Sequence, residues 1–343
     1  TTLFRSLTLP NNDRIDLLPN MKLFFEIRDL NYATPATVSR AGILYISDED
    51  GYQLRAYIKS WVEQMKFRKP IEAQTYELFD RFLYPCLDYL KTSVNDKGGF
   101  IVSKVFQITF VISLCKLLEA YIDRKEACIS KNPKIATKSD EEKYAGYEYI
   151  FCFCTIWACG AILTEKDNKD YRINFNDFFK TVFKEFKFDK SIFNYYYDTS
   201  TEKFEEWTKK IKLPEYKGEN IKYITVPTAE TTAISELMEN LLNVHHPSLL
   251  IGNAGCGKTQ ICKGMLENNR KKTENTANTF SYVIVNFNYY TDTYAMQNVF
   301  INNTEKLMQR TFVPKNSPKL MAIYIDDLNM QMLDRCNTQN AIE

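Results

Sequence analysis

The chain has 343 residues, 45% of them hydrophobic and 25% charged, which is ordinary for a protein that buries a core and allows about two domains. Its 44 lysine and arginine residues balance 43 aspartate and glutamate residues, so the net charge of +1 gives no basic footprint for nucleic acid. The nine cysteines form no C-x-x-C pair, and we therefore expect a reducing compartment rather than a zinc site. The chain begins Thr1-Thr2-Leu3 without an initiator methionine, so we expect it to be a piece of a longer polypeptide.

The first 47 residues are predicted to be rich in β-structure. The turn-forming residues Asn11, Asn12 and Asp13 lie between two short segments that could form strands, which predicts a hairpin. Thr34 is placed to act as the N-cap of a short helix that follows it. The predicted elements are a hairpin over residues 7–15, strands over residues 21–27 and 43–47, and a helix over residues 35–40.

Residues 48–200 change to a helical pattern. Apolar side chains recur every three or four residues in one stretch, which predicts a helix with one face in a core. That stripe consists of Phe106, Phe110, Leu114, Leu117, Leu118 and Tyr121. A second apolar run, over residues 149–163, is shorter than the about 20 residues that span a bilayer, so we expect a buried helix and no membrane contact. Residues 132–143 are predicted to be a polar loop.

From residue 201 onward the pattern changes again. Residues 201–230 are predicted to be a linker with two short strands, after which helical and strand patterns alternate. Such alternation predicts a parallel sheet with helices on its faces, and ligands of these sheets bind beyond the carboxyl ends of the strands. The predicted helices cover residues 234–242, 259–268 and 296–307, and the predicted strands cover residues 248–251, 282–287 and 320–325.

Residues 252–259 match the phosphate-binding pattern G-x-x-x-x-G-K-[ST] in full. The matching residues are Gly252, Asn253, Ala254, Gly255, Cys256, Gly257, Lys258 and Thr259. Glycines are needed because the backbone N–H groups must approach phosphates closely, at the positive end of the following helix. Lys258 would neutralise the β- and γ-phosphates, and the Thr259 hydroxyl would bind Mg²⁺. Gln260 completes the predicted nucleotide-binding segment.

Two aspartates at the end of the predicted strand 320–325 supply the second half of this site. Asp326 can hold Mg²⁺, and Asp327 could orient the attacking water as a general base. The alternative is that the pair belongs to a turn or caps a helix. Because aspartate is one methylene shorter than the glutamate found in many such sites, nucleotide binding is better supported than hydrolysis.

The segment Val226, Pro227 and Thr228 precedes the loop and could cover one face of an adenine ring. Proline fixes the backbone there, and the bend around it is apolar. A simple linker turn explains the same residues equally well. The sequence alone leaves both interpretations open.

Several strings resemble axonemal dynein heavy chains, most closely those of the outer-arm type. Two strings are similar to the third AAA+ module, namely Phe287-Asn288-Tyr289-Tyr290-Thr291 and Ile325-Asp326-Asp327-Leu328-Asn329-Met330. One string is similar to the end of the second module's large subdomain, namely Ala33-Thr34-Pro35-Ala36-Thr37-Val38-Ser39-Arg40-Ala41-Gly42. Two are similar to that module's helical subdomain and the connection beyond it, namely Trp157-Ala158-Cys159-Gly160 and Tyr195-Tyr196-Tyr197-Asp198. The resemblance covers nearly the whole chain.

The resemblance implies an α/β fold of P-loop AAA+ large subdomains joined by an α-helical AAA+ small subdomain. It divides the chain into residues 1–47 as the C-terminal part of the second large subdomain, residues 48–200 as the helical small subdomain, residues 201–230 as linker and adenine-side loop, and residues 231–343 as the N-terminal part of the third large subdomain. Departures from the family occur at residues 310–317 and at Gln331, where a proline is common.

The resemblance also implies roles. Arg40 matches an arginine finger that reaches the ATP of the first module, although by itself it could equally be a surface cation at a helix end. ATP or ADP with Mg²⁺ would regulate minus-end-directed motility along microtubules in cilia, with the other AAA+ modules, a microtubule-binding stalk, and intermediate and light chains lying elsewhere. The alternatives are a nucleotide that acts only as a structural element, and another AAA+ ring remodelling ATPase.

Overall fold

The computed structural model describes residues 6–8, 11–18, 20–22, 24–27, 29–31, 33–39, 41–46, 51–66, 69–102, 105–131, 144, 146–211, 226–274, 279–308, 311–315, 320–335 and 338–342. The chain divides into two compact units, Thr1–Arg55 and Ala56–Glu343. The predicted polar loop over residues 132–143 lies outside the described residues.

The first unit contains the predicted hairpin. Strand β1 (Ser6–Thr8) pairs antiparallel with β2 (Arg14–Asp16), and Leu7 lies opposite Ile15. Asn12 takes a positive φ of 67°, which asparagine tolerates better than most residues, so the turn forms where its residues predicted it. A short helix, α1 (Pro35–Val38), follows within the predicted range.

The strands predicted over residues 21–27 and 43–47 are wrong for the described residues of those ranges, which form no strand. Phe24 is 95% exposed and Leu44 is 93% exposed. An apolar run predicts that side chains seek burial, but a strand also needs a neighbouring strand to bond its backbone. The first unit offers no such partner among its described residues.

The second unit is helical in its first half. In chain order its helices are α2 (Tyr52–Met65, which begins before the unit boundary), α3 (Lys69–Leu78), α4 (Tyr84–Tyr89), α5 (Gln107–Lys131), α6 (Tyr147–Gly160) and α7 (Tyr171–Val182), with π-helical turns at Phe79–Leu83 and Leu90–Val94. The apolar stripe predicted for α5 is buried, apart from Phe106, which precedes the helix and is 48% exposed.

Helix α6 confirms the predicted buried helix, because every residue in it is buried except Glu148 and Tyr149, which are half-buried. Phe151 packs edge-on against Phe79, with 5.0 Å between ring centroids, and also contacts Phe82. None of the helices in the described ranges has both the length and the hydropathy needed to cross a membrane.

Two small hairpins accompany these helices, one between α6 and α7 and one after α7. Strands β3 (Glu165–Lys166) and β4 (Lys169–Asp170) form the first, and β5 (Tyr195–Asp198) and β6 (Lys203–Glu206) form the second. A 3-10 turn at Trp207–Lys210 follows directly. The β5–β6 hairpin spans residue 200, so the division predicted there falls inside one structural element. Of the two strands predicted within residues 201–230, β6 is one, and residues 212–225 lie outside the described part.

The last part of the chain is α/β. It contains α8 (Ala229–Asn243), α9 (Lys258–Thr273), β7 (Phe280–Asn286), α10 (Thr293–Asn303), β8 (Thr304–Met308), β9 (Thr311–Pro314) and β10 (Leu320–Asp326). Strands β7 and β10 are parallel, with Phe280 opposite Leu320 and Asn286 opposite Asp326. This pairing confirms the predicted parallel sheet and its second and third strands.

Two predicted elements differ here. Residues 248–251 form no strand, and Leu249 is 67% exposed although Leu250 packs against the core of this region. The helix predicted over residues 296–307 ends at Asn303, and the chain continues as β8, paired antiparallel with β9. Thr304 already has extended dihedral angles (φ −122°, ψ 157°), so pairing with a neighbouring strand overrides the helical spacing.

Candidate functional site

The phosphate-binding loop leads directly into α9, which begins at Lys258. Gly255 and Gly257 have φ values of +80° and +87°, in the left-handed region that favours glycine. These two residues therefore turn the backbone so that it curls in front of the helix. The loop therefore has the curled shape that the glycine spacing of the sequence predicts.

The N-terminus of α9 can accept an anion. Its N-cap is Gly257, which has no side chain that could accept hydrogen bonds from the first-turn N–H groups. Those donors and the positive end of the helix dipole point toward the loop. At the opposite end of the helix lie Arg270, Lys271 and Lys272, where cations interact favourably with the negative end of the dipole. A phosphate group is the ligand that this arrangement would bind most naturally.

The side chain of Lys258 forms hydrogen bonds with the backbone of the loop. Its Nζ donates hydrogen bonds to the carbonyl oxygens of Gly252 and Asn253, both at 2.8 Å. The Cys256 sulfur lies 3.7 Å from the same Nζ, and this cysteine is exposed. The ammonium group therefore lies within the curve of the loop, where it could meet phosphate oxygens.

Thr259 and Asp326 are 67 residues apart in the chain but in contact in the structure. The Thr259 hydroxyl donates to the two carboxylate oxygens of Asp326, at 3.0 and 3.2 Å. Thr259 lies in the first turn of α9, and Asp326 ends β10, so the parallel sheet delivers the carboxylate to the loop. Hydroxyl and carboxylate oxygens are the hard ligands that Mg²⁺ prefers, so this donor set fits the ion.

Sequence reasoning missed Tyr324. Its hydroxyl donates to Asp326 at 3.0 Å, and burial together with this carboxylate raises the pKa of Tyr324. The phenol therefore remains a neutral donor that orients Asp326. A signal was available, because residues two apart on a strand face the same side, and Tyr324 is two residues before Asp326.

Asp327 is exposed and differs from its neighbour in backbone conformation. Its φ of 55° and ψ of 44° are left-handed, and its carbonyl accepts a hydrogen bond from the Met330 N–H at 3.0 Å. It therefore begins the 3-10 turn Leu328–Met330, as the turn alternative anticipated. Its role as general base stays a prediction.

The segment before α8 has one structural role. The Thr228 hydroxyl accepts from the Thr231 N–H at 3.2 Å, and the Thr231 hydroxyl accepts from the Thr228 N–H at 2.8 Å, which makes a reciprocal cap. Pro227 and Gln260 line the same cavity of about 1200 Å³. Val226 is 59% exposed. Arg40 lies outside the described residues.

Comparison with protein families gives two matches that together span most of the second unit. Residues 214–343 match the family described as "P-loop containing dynein motor region". Residues 75–209 match the family described as "Dynein heavy chain AAA lid domain". The two matches meet at the described 3-10 turn Trp207–Lys210 and the segment that follows it.

The chain spans about 7% of the length of the curated relatives it matches first. It is 32% identical over 345 residues to the "Dynein alpha chain, flagellar outer arm" of Chlamydomonas reinhardtii, covering 97% of this chain and 7% of that protein. It is 35% identical over 338 residues to the "Dynein axonemal heavy chain 9" of Homo sapiens, again covering 97% and 7%. It is 32% identical over 342 residues to the "Dynein heavy chain-like protein 2" of Plasmodium falciparum (isolate 3D7), covering 98% and 6%.

Proposed function

Because this chain belongs to the axonemal dynein heavy chains, we propose that its P-loop region binds ATP or ADP as the third AAA+ module of a motor ring. One observation carries this proposal, namely the contact between the Thr259 hydroxyl and the Asp326 carboxylate beside the phosphate-binding loop. A P-loop without a carboxylate at this position would lack half of the expected Mg²⁺ donor set.

The proposed roles follow from these positions. Lys258 and the first-turn N–H groups of α9 bind the phosphates, and Thr259 and Asp326 hold Mg²⁺, which would neutralise phosphate charge. Pro227 and Gln260, which share a cavity wall, lie on the adenine side. Arg40 serves as an arginine finger toward the first module's ATP, a role that rests on the resemblance of its flanking residues.

In the complete heavy chain, this module regulates ATP-driven, minus-end-directed movement along microtubules in the ciliary or flagellar axoneme. Residues 1–47 complete the second module's large subdomain, and the helical region is that module's small subdomain. Microtubules are reached through a stalk outside this chain, and intermediate and light chains belong to the assembled complex. The two dynein matches favour this proposal over a remodelling ATPase of another AAA+ family.

A nucleotide that serves as a structural element is a second candidate. It is favoured by Asp327, because that carboxylate is exposed and one methylene shorter than a glutamate, so it is poorly placed to orient water. Slow or absent nucleotide exchange would distinguish this candidate from the regulatory one.

Protection of Cys256 from alkylation tests nucleotide binding directly. Among the cysteines in the described ranges, Cys256 is the exposed one, and it lies inside the phosphate-binding loop. Saturating MgATP should slow its reaction with N-ethylmaleimide at least about tenfold, because only the unbound fraction reacts. The rate is followed by mass spectrometry, with the half-buried Cys128 as the internal control. An unchanged Cys256 rate at millimolar MgATP would contradict binding at this loop.

Hydrolysis by the 343-residue chain is expected to be slow. With Asp327 exposed and short, we expect turnover at least about a hundredfold below the ~10 s⁻¹ that is common for enzymes. Phosphate release by the purified chain measures this, with Asp327→Asn as the comparison. Turnover near the common value that falls with Asp327→Asn would show that this carboxylate is a working base.

A further inference from the structure

Helix α8 is held on two opposite faces. Met238 packs into the core of the P-loop region with Met265 and Leu266 of α9. Glu236 lies two residues earlier, about 200° around the helix at about 100° per residue. It reaches the helical region that precedes the P-loop region in the chain. Through α8, the two regions are therefore joined by one short, rigid element.

The Glu236 carboxylate is bound by two cations. One oxygen accepts from Arg124 Nη1 of α5 at 2.7 Å, and the other accepts from Lys210 Nζ at 2.5 Å. The Lys210 ammonium also lies 3.7 Å from the ring centroid of Tyr196, on the β5–β6 hairpin. The two cations come from separate elements, so Glu236 ties α8 to both at once.

This group is partly shielded from water. The side chain of Glu236 is 17% exposed, that of Lys210 is 24% exposed and that of Arg124 is 38% exposed. Burial lowers the pKa of Lys210 although a carboxylate lies beside it. Removing one partner would be destabilising, because the remaining charges would be left partly buried without compensation.

A second ion pair links the same regions but is weaker. Arg172 Nη1 lies 3.3 Å from Glu230 Oε1 at the start of α8, and the Glu230 side chain is 66% exposed. Exposed pairs of this kind contribute little to stability. Of these two ion pairs, the one made by Glu236 therefore contributes more to the position of α8.

Helix α8 begins directly after the segment Val226, Pro227 and Thr228. Thr228 caps the helix, and Pro227 immediately before it lines the cavity that Gln260 of α9 also lines. Arg124 and Glu236 line this cavity too. A shift of α8 would therefore move Pro227 relative to α9 and change the wall on the adenine side.

We propose that Glu236 is a positioning residue for the nucleotide base. Held by Arg124 and Lys210, it fixes α8 and thereby the segment Val226, Pro227 and Thr228 beside the start of α9. It does not touch the phosphates, which belong to Lys258 and the N-terminus of α9. This inference rests on the proposed nucleotide site and specifies how the preceding helical region controls its affinity for the base.

A comparison of two ligands distinguishes the contribution of the base to binding from that of the phosphates. Calorimetric titration of the chain with MgATP and with inorganic tripolyphosphate plus Mg²⁺ gives both dissociation constants. For Glu236→Gln we expect the MgATP Kd to rise about tenfold, as for the loss of one good contact, while the tripolyphosphate Kd changes less than about twofold. Glu236→Asp should recover part of the loss. The matched control, Glu230→Gln, should leave both constants unchanged.

Several results would overturn the proposal. Unchanged MgATP affinity in Glu236→Gln would do so, and so would equal losses for both ligands, because equal losses indicate a general weakening of the domain. If that variant does not fold, Lys210→Met keeps the apolar stem on Tyr196 and should raise the MgATP Kd alone. Failure of the unmutated chain to bind MgATP would instead remove the nucleotide site itself, together with this inference.

Discussion

Replacing Lys258 by alanine is expected to weaken MgATP binding by at least about a hundredfold, which corresponds to about 2.8 kcal/mol. Two effects add. The ammonium group loses its charge-assisted bonds to phosphate oxygens, and the loop loses the hydrogen bonds from Lys258 to the carbonyl oxygens of Gly252 and Asn253. Titration calorimetry on Lys258→Ala and on the unmutated chain measures the difference.

Lys271→Ala is the matched control for this change. Lys271 belongs to the same helix, is 65% exposed and lies at its far end, so its loss should alter binding less than about twofold. Nearly equal affinities for Lys258→Ala and the unmutated chain would show that the loop does not bind phosphates. In the complete heavy chain, microtubule-stimulated ATPase that collapses with Lys258→Ala would make this site a regulatory gate. Stimulation that survives would leave the nucleotide here structural or dispensable.

Replacing Phe151 by alanine is expected to lower the free energy of unfolding by about 3–5 kcal/mol. The ring is fully buried and lies edge-on to Phe79 and tilted against Phe82, so its removal leaves a cavity among large side chains. Urea unfolding followed by circular dichroism measures the change as a shift in midpoint at constant slope.

Phe300→Ala removes the same atoms from a less buried position. Phe300 is 46% exposed on α10, and its loss should cost less than about 1 kcal/mol. Similar losses for the two variants would contradict the assignment of Phe151 to the core of the helical region. A loss for Phe151→Ala well below about 2 kcal/mol would show that its neighbours collapse into the space.

The phosphate-binding loop and its carboxylate could be predicted from sequence because each depends on a short, contiguous sequence pattern. Gly255, Gly257 and Lys258 occupy fixed positions in one pattern, and Asp326 follows an unbroken apolar strand. Parallel pairing of β7 with β10 then follows from alternation of strands and helices. Tyr324 was missed although strand periodicity placed it on the same face as Asp326.

Other features depend on partners that no local pattern reveals. Residues 248–251 are as apolar as a buried strand, yet Leu249 is 67% exposed, because burial preference does not supply a bonding neighbour. The contact between Arg124 and Glu236 joins residues 112 positions apart and has no periodic signature. Thr304 is a further example. The helical spacing of apolar residues continues past it, but the chain there pairs as β8 with β9.

The left-handed backbone of Asp327 has a consequence for protein engineering. Aspartate enters this region more readily than most residues, whereas a longer side chain there carries a penalty of about 1 kcal/mol or more. Asp327→Glu would extend the carboxylate by one methylene toward a bound water, but it would lower folding stability. The left-handed backbone at this residue links the choice of acid to the shape of the turn, so remodelling residues 327–330 together is the more promising way to place a longer carboxylate there.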